Sequence, residues 1–191
     1  APPGIIIDCA DTNSNTHGGQ QLSLFNDYYG EYCYMPLHIY EGLSGKLITT
    51  ILKPGRRSKS VNVYGILKRL IAYMRESWKN TVIIVRGDSH FFSKHLMDWS
   101  QDKINVHLIT GVAGNRALIA QTKEMVQSCQ ERFKRDGKPI KRYHSFCYKA
   151  QSWENQQRVI VKIEVSEKGT NIRYIVTDLW EYRAKSLYEQ G

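Results

Sequence analysis

Val82-Ile83-Ile84-Val85-Arg86-Gly87-Asp88-Ser89-His90-Phe91 is the stretch on which the reading of this chain turns. Its apolar run reads as a buried strand, and the strand runs at once into a loop that carries a carboxylate, Asp88. A strand end holds a charged group more rigidly than a free loop does, and Mg²⁺ takes oxygen ligands in near-octahedral geometry. Asp88 therefore has two readings, a helix cap after a buried strand or a metal ligand, and capping is the commoner use of Asp at such a boundary. Toward the N-terminus, Ile5-Ile6-Ile7 makes a second short buried strand that also runs into acids, Asp8 and Asp11, followed by a polar stretch from Thr12 to Gln21. Two apolar strands that each end in carboxylate suggest a shared metal site.

At 191 residues the chain can hold one core or one core with an inserted subdomain, and the second is favoured. A hydrophobic share of 41% with 24% charged residues is that of a folded globular protein and excludes a disordered chain. The net charge of +9 points to a polyanionic partner, nucleic acid first, because each Lys or Arg placed on a phosphate releases a counterion. A charge that only aids solubility is the plainer alternative. The runs Lys53-Pro54-Gly55-Arg56-Arg57-Ser58-Lys59 and Arg132-Phe133-Lys134-Arg135-Asp136-Gly137-Lys138 gather positive charge in segments that read as loops and suit phosphate contact. Cys9, Cys33, Cys129 and Cys147 show neither CxxC nor zinc-finger spacing, so a reduced, cytosolic protein is the simplest reading. No apolar stretch approaches a membrane span and no signal peptide opens the chain. Both ends, Ala1-Pro2-Pro3-Gly4 and Glu189-Gln190-Gly191, read as fragment boundaries.

Working outward, Tyr32 to Glu41 reads as a strand, Gly42 to Gly45 as a turn and Lys46 to Leu52 as the returning strand of a hairpin. Ser60 to Trp78 gives the clearest helix: Val63, Ile66, Leu67, Leu70, Ile71 and Met74 share one face, with Lys68, Arg69 and Arg75 opposite. A helix from Ser93, its N-cap, to Asp102 follows the Asp88 loop, then a strand from Asn105 to Thr110. Beyond Gly111 a long helix, Asn115 to Arg135, precedes strands over Ile140–Lys149, Arg158–Ser166 and Ile172–Leu179, and a helix begins at Arg183. Within Arg158–Ser166, Val159, Val161, Ile163 and Val165 alternate with Arg158, Ile160, Lys162 and Glu164, which predicts one buried face and one mostly polar face. The order predicts an α/β fold, a mixed sheet flanked by helices with a mainly antiparallel β subdomain inserted.

Asp8-Cys9-Ala10-Asp11-Thr12 continuing to His17-Gly18-Gly19-Gln20, then Tyr28-Tyr29-Gly30, Leu52-Lys53-Pro54-Gly55, Arg86-Gly87-Asp88-Ser89-His90-Phe91 and Arg158-Val159-Ile160-Val161-Lys162, occur in an ordered series. In order and spacing the series resembles the DDE transposases of bacterial insertion sequences, over essentially the whole chain. The resemblance implies a ribonuclease H-like core over residues 1–110, an insertion subdomain over 111–182 and the start of the last core helix over 183–191. It also implies two Asp and one Glu holding two divalent ions, Mg²⁺ or Mn²⁺, which activate the attacking hydroxyl and stabilise the leaving oxygen during DNA cleavage and strand transfer. The implied partner is the DNA of the transposon ends, with a homodimer in the full-length protein, in the bacterial cytoplasm at the nucleoid and not at a membrane.

Carried over by position, Asp88 matches the second catalytic Asp of the family. The opening strand of relatives resembles Asp-x-Asp-x-Thr with its second Asp as ligand, and here that position is Ala10. Residues 8 and 10 of a strand point to one face and residue 11 to the other, so Asp11 can replace the ligand only through a bulge. Asp8 shares the right face but sits about 6–7 Å back. Asp88, Asp8 and Asp11 are thus the candidate catalytic acids, Asp88 and Asp8 the candidate metal ligands. The third ligand is a Glu expected on a helix past the Leu187-Tyr188 segment, and Glu189 is the only late acid. The expectation is a transposase catalytic domain that is inactive as this chain, a remnant or one with an Asp-to-Ala change. A nuclease that cuts without joining and a DNA-binding remnant without chemistry are the alternatives.

Arg56, Arg57, Lys59, His17 and His90 are the candidate DNA-binding residues. Structural roles are expected for His38, His107 and His144. Tyr28, Tyr29, Tyr32 and Tyr34 form an aromatic cluster for which half-buried strand positions are expected over base stacking, and core packing is expected of Trp153 over support of an extruded base.

Overall fold

The Ile5-Ile6-Ile7 run and the Val82–Val85 run become neighbouring parallel strands of one sheet. This is seen in a computed structural model, which describes residues 1–56, 63–89, 91 and 93–190. The chain forms two compact units, Ala1–Gly87 with Lys103–Val106, and Asp88–Asp102 with His107–Gly191.

The first unit contains β1 (Gly4–Asp11), β2 (Ser14–Asn15), β3 (Leu24–Asn26), β4 (Glu31–Tyr34), β5 (Leu37–Glu41), β6 (Leu47–Ile51), α1 (Val63–Ser77) and β7 (Val82–Gly87). Four of these strands lie in the order β6-β5-β1-β7. β1 runs antiparallel to β5 and parallel to β7, and β5 antiparallel to β6, the mixed pattern expected from the sequence. Ile5, Ile7 and Cys9 on β1, Leu37 and Ile39 on β5, and Ile83 and Val85 on β7 are buried. Leu67, Ile71 and Met74 on α1 are buried as well, while Lys68 and Arg69 are exposed. The expected helix start at Ser60 lies outside the described residues.

Arg75 does not join Lys68 and Arg69 in solvent. Its guanidinium closes the end of α1, donating from Nη1 to the carbonyls of Trp78 (2.9 Å) and Thr81 (2.6 Å) and from Nη2 to those of Ile104 (3.3 Å) and Asn105 (3.0 Å). Asn105 in turn accepts from the Ile83 amide at 2.8 Å.

The expected single strand from Tyr32 to Glu41 is broken. Pro36 has no amide proton to give a ladder, and the chain changes sheets at Met35-Pro36: β4 belongs to a small sheet of order β2-β4-β3, β5 to the larger one. The polar stretch after Asp11 is therefore not all loop, since it supplies β2.

The second unit contains α2 (Lys94–Gln101), β8 (Val106–Val112), α3 (Arg116–Asp136), β9 (Ile140–Tyr148), β10 (Gln157–Ser166), β11 (Gly169–Thr177) and α4 (Ala184–Gln190). Ser93 caps α2 as its sequence predicts, its side chain accepting from the Leu96 amide at 3.1 Å. Asn115 caps α3 on the amides of Ala117 and Leu118. Strand order is β8-β11-β10-β9, antiparallel throughout. The basic run from Arg132 is not a loop either. It forms the last turn of α3, where Arg132 and Arg135 both pair with Asp136.

The second face of β10 is not mostly polar surface. Arg158 and Ile160 are buried, Arg158 with only 6% of its surface exposed. Its Nη1 donates to the carbonyls of Leu179 (2.5 Å) and Trp180 (3.2 Å), and burial lowers the guanidinium from its ordinary pKa. A cation met by carbonyl dipoles organises the chain after β11 and escapes the full cost of an unpaired buried charge.

Arg75→Ala is expected to lower unfolding free energy by about 2 kcal/mol, because it strips charged donors from several carbonyls at once. Urea denaturation followed by circular dichroism measures this, and Lys68→Ala on the exposed face is the control with little change.

Candidate functional site

Asp8 and Arg86 are Cα partners in the parallel β1–β7 ladder. Arg86 donates from Nε to Asp8 Oδ1 and from Nη2 to Oδ2, both at 2.5 Å, so the fork of the guanidinium occupies both carboxylate oxygens. The Asp8 carboxylate holds the guanidinium above its ordinary pKa. Asp11, at the end of the same strand, accepts from Lys53 Nζ at 2.6 Å. Lys53 is thereby withdrawn from the basic run with which its sequence groups it. Ala10, between the two acids, is exposed and pairs across the ladder with His38.

Between these pairs, Cys9 is buried, and burial, with the nearby charges of Asp8 and Asp11, pushes its thiol up to about 12. It stays protonated and unreactive at neutral pH.

A divalent metal of the Mg²⁺ type needs carboxylate oxygens with lone pairs turned to it. Both oxygens of Asp8 face a guanidinium, one oxygen of Asp11 faces an ammonium, and the residue between them has no oxygen to offer. Among the described residues no three His, Cys, Asp or Glu side chains are grouped to hold a metal ion. The residues of β1 as arranged do not fit one.

Asp88 belongs to the second unit, exposed at the head of a turn closed by the Phe91 amide on the Asp88 carbonyl at 3.2 Å. Phe91 anchors that turn by burial, with 4% of its surface exposed. The backbone of Asp88 and Ser89 lies directly on Gly111 of β8: a Cβ at 111 would stand 2.8 Å from the Ser89 nitrogen and 3.2 Å from the Asp88 carbonyl carbon. Glycine at 111 is what lets the Asp88 turn settle on β8.

On the first unit, Arg56 is exposed and follows Gly55, whose carbonyl accepts from Asn26 Nδ2 at 2.7 Å. A Cβ on Gly55 would stand 2.3 Å from the Cys33 carbonyl oxygen and 2.5 Å from that of Leu24, so the basic segment leaves the small sheet from a fixed point. His17 is exposed on the loop after β2. Arg57, Lys59 and His90 lie outside the described residues.

The other histidines divide. His38 hydrogen-bonds Thr50 Oγ1 at 2.9 Å and His107 pairs with Asp178 at 2.9 Å, structural contacts within their units, while His144 is exposed on β9. Glu189 accepts from the Tyr143 hydroxyl at 2.7 Å. Trp153 is buried edge-to-face on Tyr148 at 5.3 Å, a core position. The tyrosine cluster departs from expectation, because Tyr28, Tyr29 and Tyr32 are exposed.

Sequence reasoning missed Arg86, Lys53 and Gly111. Arg86 could have been found by laying the two apolar runs side by side as parallel strands, which sets Ile6 and Asp8 against Ile84 and Arg86. Nothing local announces Lys53 as the partner of Asp11 or Gly111 as the seat of Asp88.

The family model of the transposase DDE domain, group 1, matches residues 1–191. A comparison with the curated proteins gives no match. Among solved structures, the chain is similar in fold to one chain of a cryo-EM structure of the piggyBac transposase synaptic complex with hairpin DNA. The TM-score is 0.52 at 12% identity, covering 95% of this chain and 34% of that one, so this chain spans about a third of its neighbour's length.

Gly111→Ala is expected to cost about 1–3 kcal/mol, since the clash is with backbone and forces the Asp88 turn to move. Chemical denaturation gives the cost, and faster amide exchange at Ser89 marks the displaced turn. The Cys9 thiol is raised in the folded state, so its stabilising contribution is complete below pH 9 and lost as pH rises toward about 12. Over that window the denaturation midpoint of the wild type falls more steeply than that of Cys9→Ala.

Proposed function

The chain belongs to the transposase DDE domain family, group 1, and from that membership we propose that it engages the DNA of transposon ends through its basic surface while making no cut by itself. The observation that carries this reading is the state of the acids on β1: Ala10 stands at the position where the family's first Asp is expected, and its neighbours Asp8 and Asp11 are each neutralised by a cation from another part of the chain. Asp88 is the retained acid of the second motif. Asp8 and Asp11 are what is left of the first, held in ion pairs.

Divalent metal ions serve the family's chemistry, and in an intact family member Mg²⁺ or Mn²⁺ supplies Lewis-acid assistance to the transfer of a phosphodiester bond. The donor set here does not fit such an ion, and no chemical step is assigned to these residues. In this reading residues 1–110 are the ribonuclease H-like core, 111–182 the insertion and 183–191 the opening of the last core helix, in a protein of a bacterial insertion sequence that works at the nucleoid as a homodimer.

Arg56, Arg57, Lys59, His17 and His90 are the residues proposed to meet the phosphates. The net charge of +9 supports the electrostatic part of the reading, and the exposure of Arg56 and His17 supports their place in it. No helix among the described residues is long and apolar enough to cross a membrane.

DNA binding by the purified chain is expected to weaken steeply with salt, and Arg56→Ala to lower the slope of log K against log salt by about 1. Fluorescence anisotropy with a labelled duplex measures both. With Mg²⁺ or Mn²⁺ added, supercoiled plasmid stays intact; robust metal-dependent nicking by the wild-type chain overturns the proposal. Ala10→Asp puts a carboxylate on the Asp8 face and is expected to give a Mn²⁺-dependent rise in melting temperature that the wild type lacks.

A further inference from the structure

The small sheet presents a surface that phosphate contact leaves unused. β3 and β4 form a hairpin in which Leu24 faces Cys33, Phe25 faces Tyr32 and Asn26 faces Glu31. Directly paired residues share a face of a sheet and successive ones alternate. Cys33 is fully buried, so its face is the inner one. Phe25 and Tyr32 therefore stand on the outer face, their rings edge-to-face at 5.4 Å and still 43% and 59% exposed. Tyr34, two residues beyond Tyr32, falls on the same face, its hydroxyl donating to the Gln21 carbonyl. At the turn, Tyr28 and Tyr29 meet edge-to-face at 4.9 Å, and Tyr28 is 88% exposed.

These rings stand on a fixed support. Asn26 Oδ1 accepts from the amides of Tyr28 (3.0 Å) and Tyr29 (3.3 Å) while its Nδ2 donates to Gly55, tying the turn to the segment that carries Arg56. Glu31, the acid of β4, lies on the inner face, with its two oxygens accepting from Asn13 and Asn15 at 2.6 Å each. Its charge is spent away from the rings.

Large exposed aromatic faces on a soluble domain mark a contact surface. The chemistry of this one selects its occupant. Flat rings, several with phenolic edges, on a chain charged +9 suit the faces of nucleobases joined by phosphates. A duplex keeps those faces stacked on one another, whereas an unpaired strand offers them. A second copy of the chain would bring like charges together.

We propose that the outer face of the β3–β4 hairpin, Phe25, Tyr28, Tyr29 and Tyr32, is a stacking platform for unpaired nucleotides of a DNA strand. This rests on the reading that the chain binds DNA and goes beyond it by assigning the single-stranded part of the substrate to a surface remote in sequence from the Asp88 motif.

The test compares two labelled probes on the full chain: a blunt duplex, and the same duplex with an unpaired 3′ tail of about four nucleotides. The wild type binds the tailed probe about tenfold more tightly, as expected for stacking of one or two bases. The double variant Tyr28→Ala/Tyr32→Ala loses that preference and keeps its affinity for the blunt duplex, while Tyr28→Phe/Tyr32→Phe retains both. Circular dichroism melting shows that each variant is folded. If the alanine variant instead keeps the tail preference, or loses self-association in sedimentation while tail binding is unchanged, the platform is overturned. Absence of binding to either probe overturns the DNA-binding reading and the platform with it, whereas blunt-duplex binding without tail preference overturns the platform alone.

Discussion

The pairing of Asp8 with Arg86 is the constraint around which the first unit is arranged. A parallel ladder slipped by one residue turns every side chain to the other face. Here the slip would take the apolar residues of β1 out of the core and also part a carboxylate from the guanidinium that holds both its oxygens. Apolar alternation and ion pair thus specify the same register. The pair is about a quarter exposed, and exposed pairs contribute little on their own, about 0.2–1 kcal/mol. Its weight lies in specificity: the two strands meet in one alignment, and the acids of β1 are committed to that alignment.

The same commitment shows why an acidic strand end does not by itself specify a metal ligand. A carboxylate becomes a ligand only if its lone pairs are left to face an ion, and which groups reach it is a matter of strands far apart in sequence. The spacing of acids in Asp8-Cys9-Ala10-Asp11 is legible from the chain, but the cations that arrive from positions 53 and 86 are not. By contrast the helix over Val63–Ser77 and the cap at Ser93 are set by residues within a turn or two of one another, and their sequence reading agrees with the structure.

Failures of the sequence reading have two causes. Tyr32 to Glu41 has the composition of one strand, yet a missing amide proton at Pro36 lets the chain pass from one sheet to another. Arg158 looks like the polar half of an alternating strand, and it is buried because the carbonyls of Leu179 and Trp180 are there to receive it. In the first case a single local residue overrides the composition of the stretch; in the second the deciding carbonyls lie some twenty residues along the chain. The exposed tyrosines follow the second case in reverse: strand propensity places Tyr32 in a sheet correctly, but propensity is silent on which face another element covers.

The guanidinium of Arg75 gathers acceptors from two separate parts of the chain, the residues that follow α1 and the Ile104-Asn105 pair. Between them the polypeptide leaves to form the Asp88 turn and α2, which belong to the other unit, and then returns. The N-terminal unit is therefore not a contiguous product of translation. A nascent chain that has emerged only through β7 has its central strands and α1 but lacks the backbone that closes them, and the unit is complete only once Asn105 has cleared the ribosome. The segment that completes the first unit is thus carried inside the sequence of the second, so that a cut between Gly87 and Asp88 parts the N-terminal unit from its own closing residues.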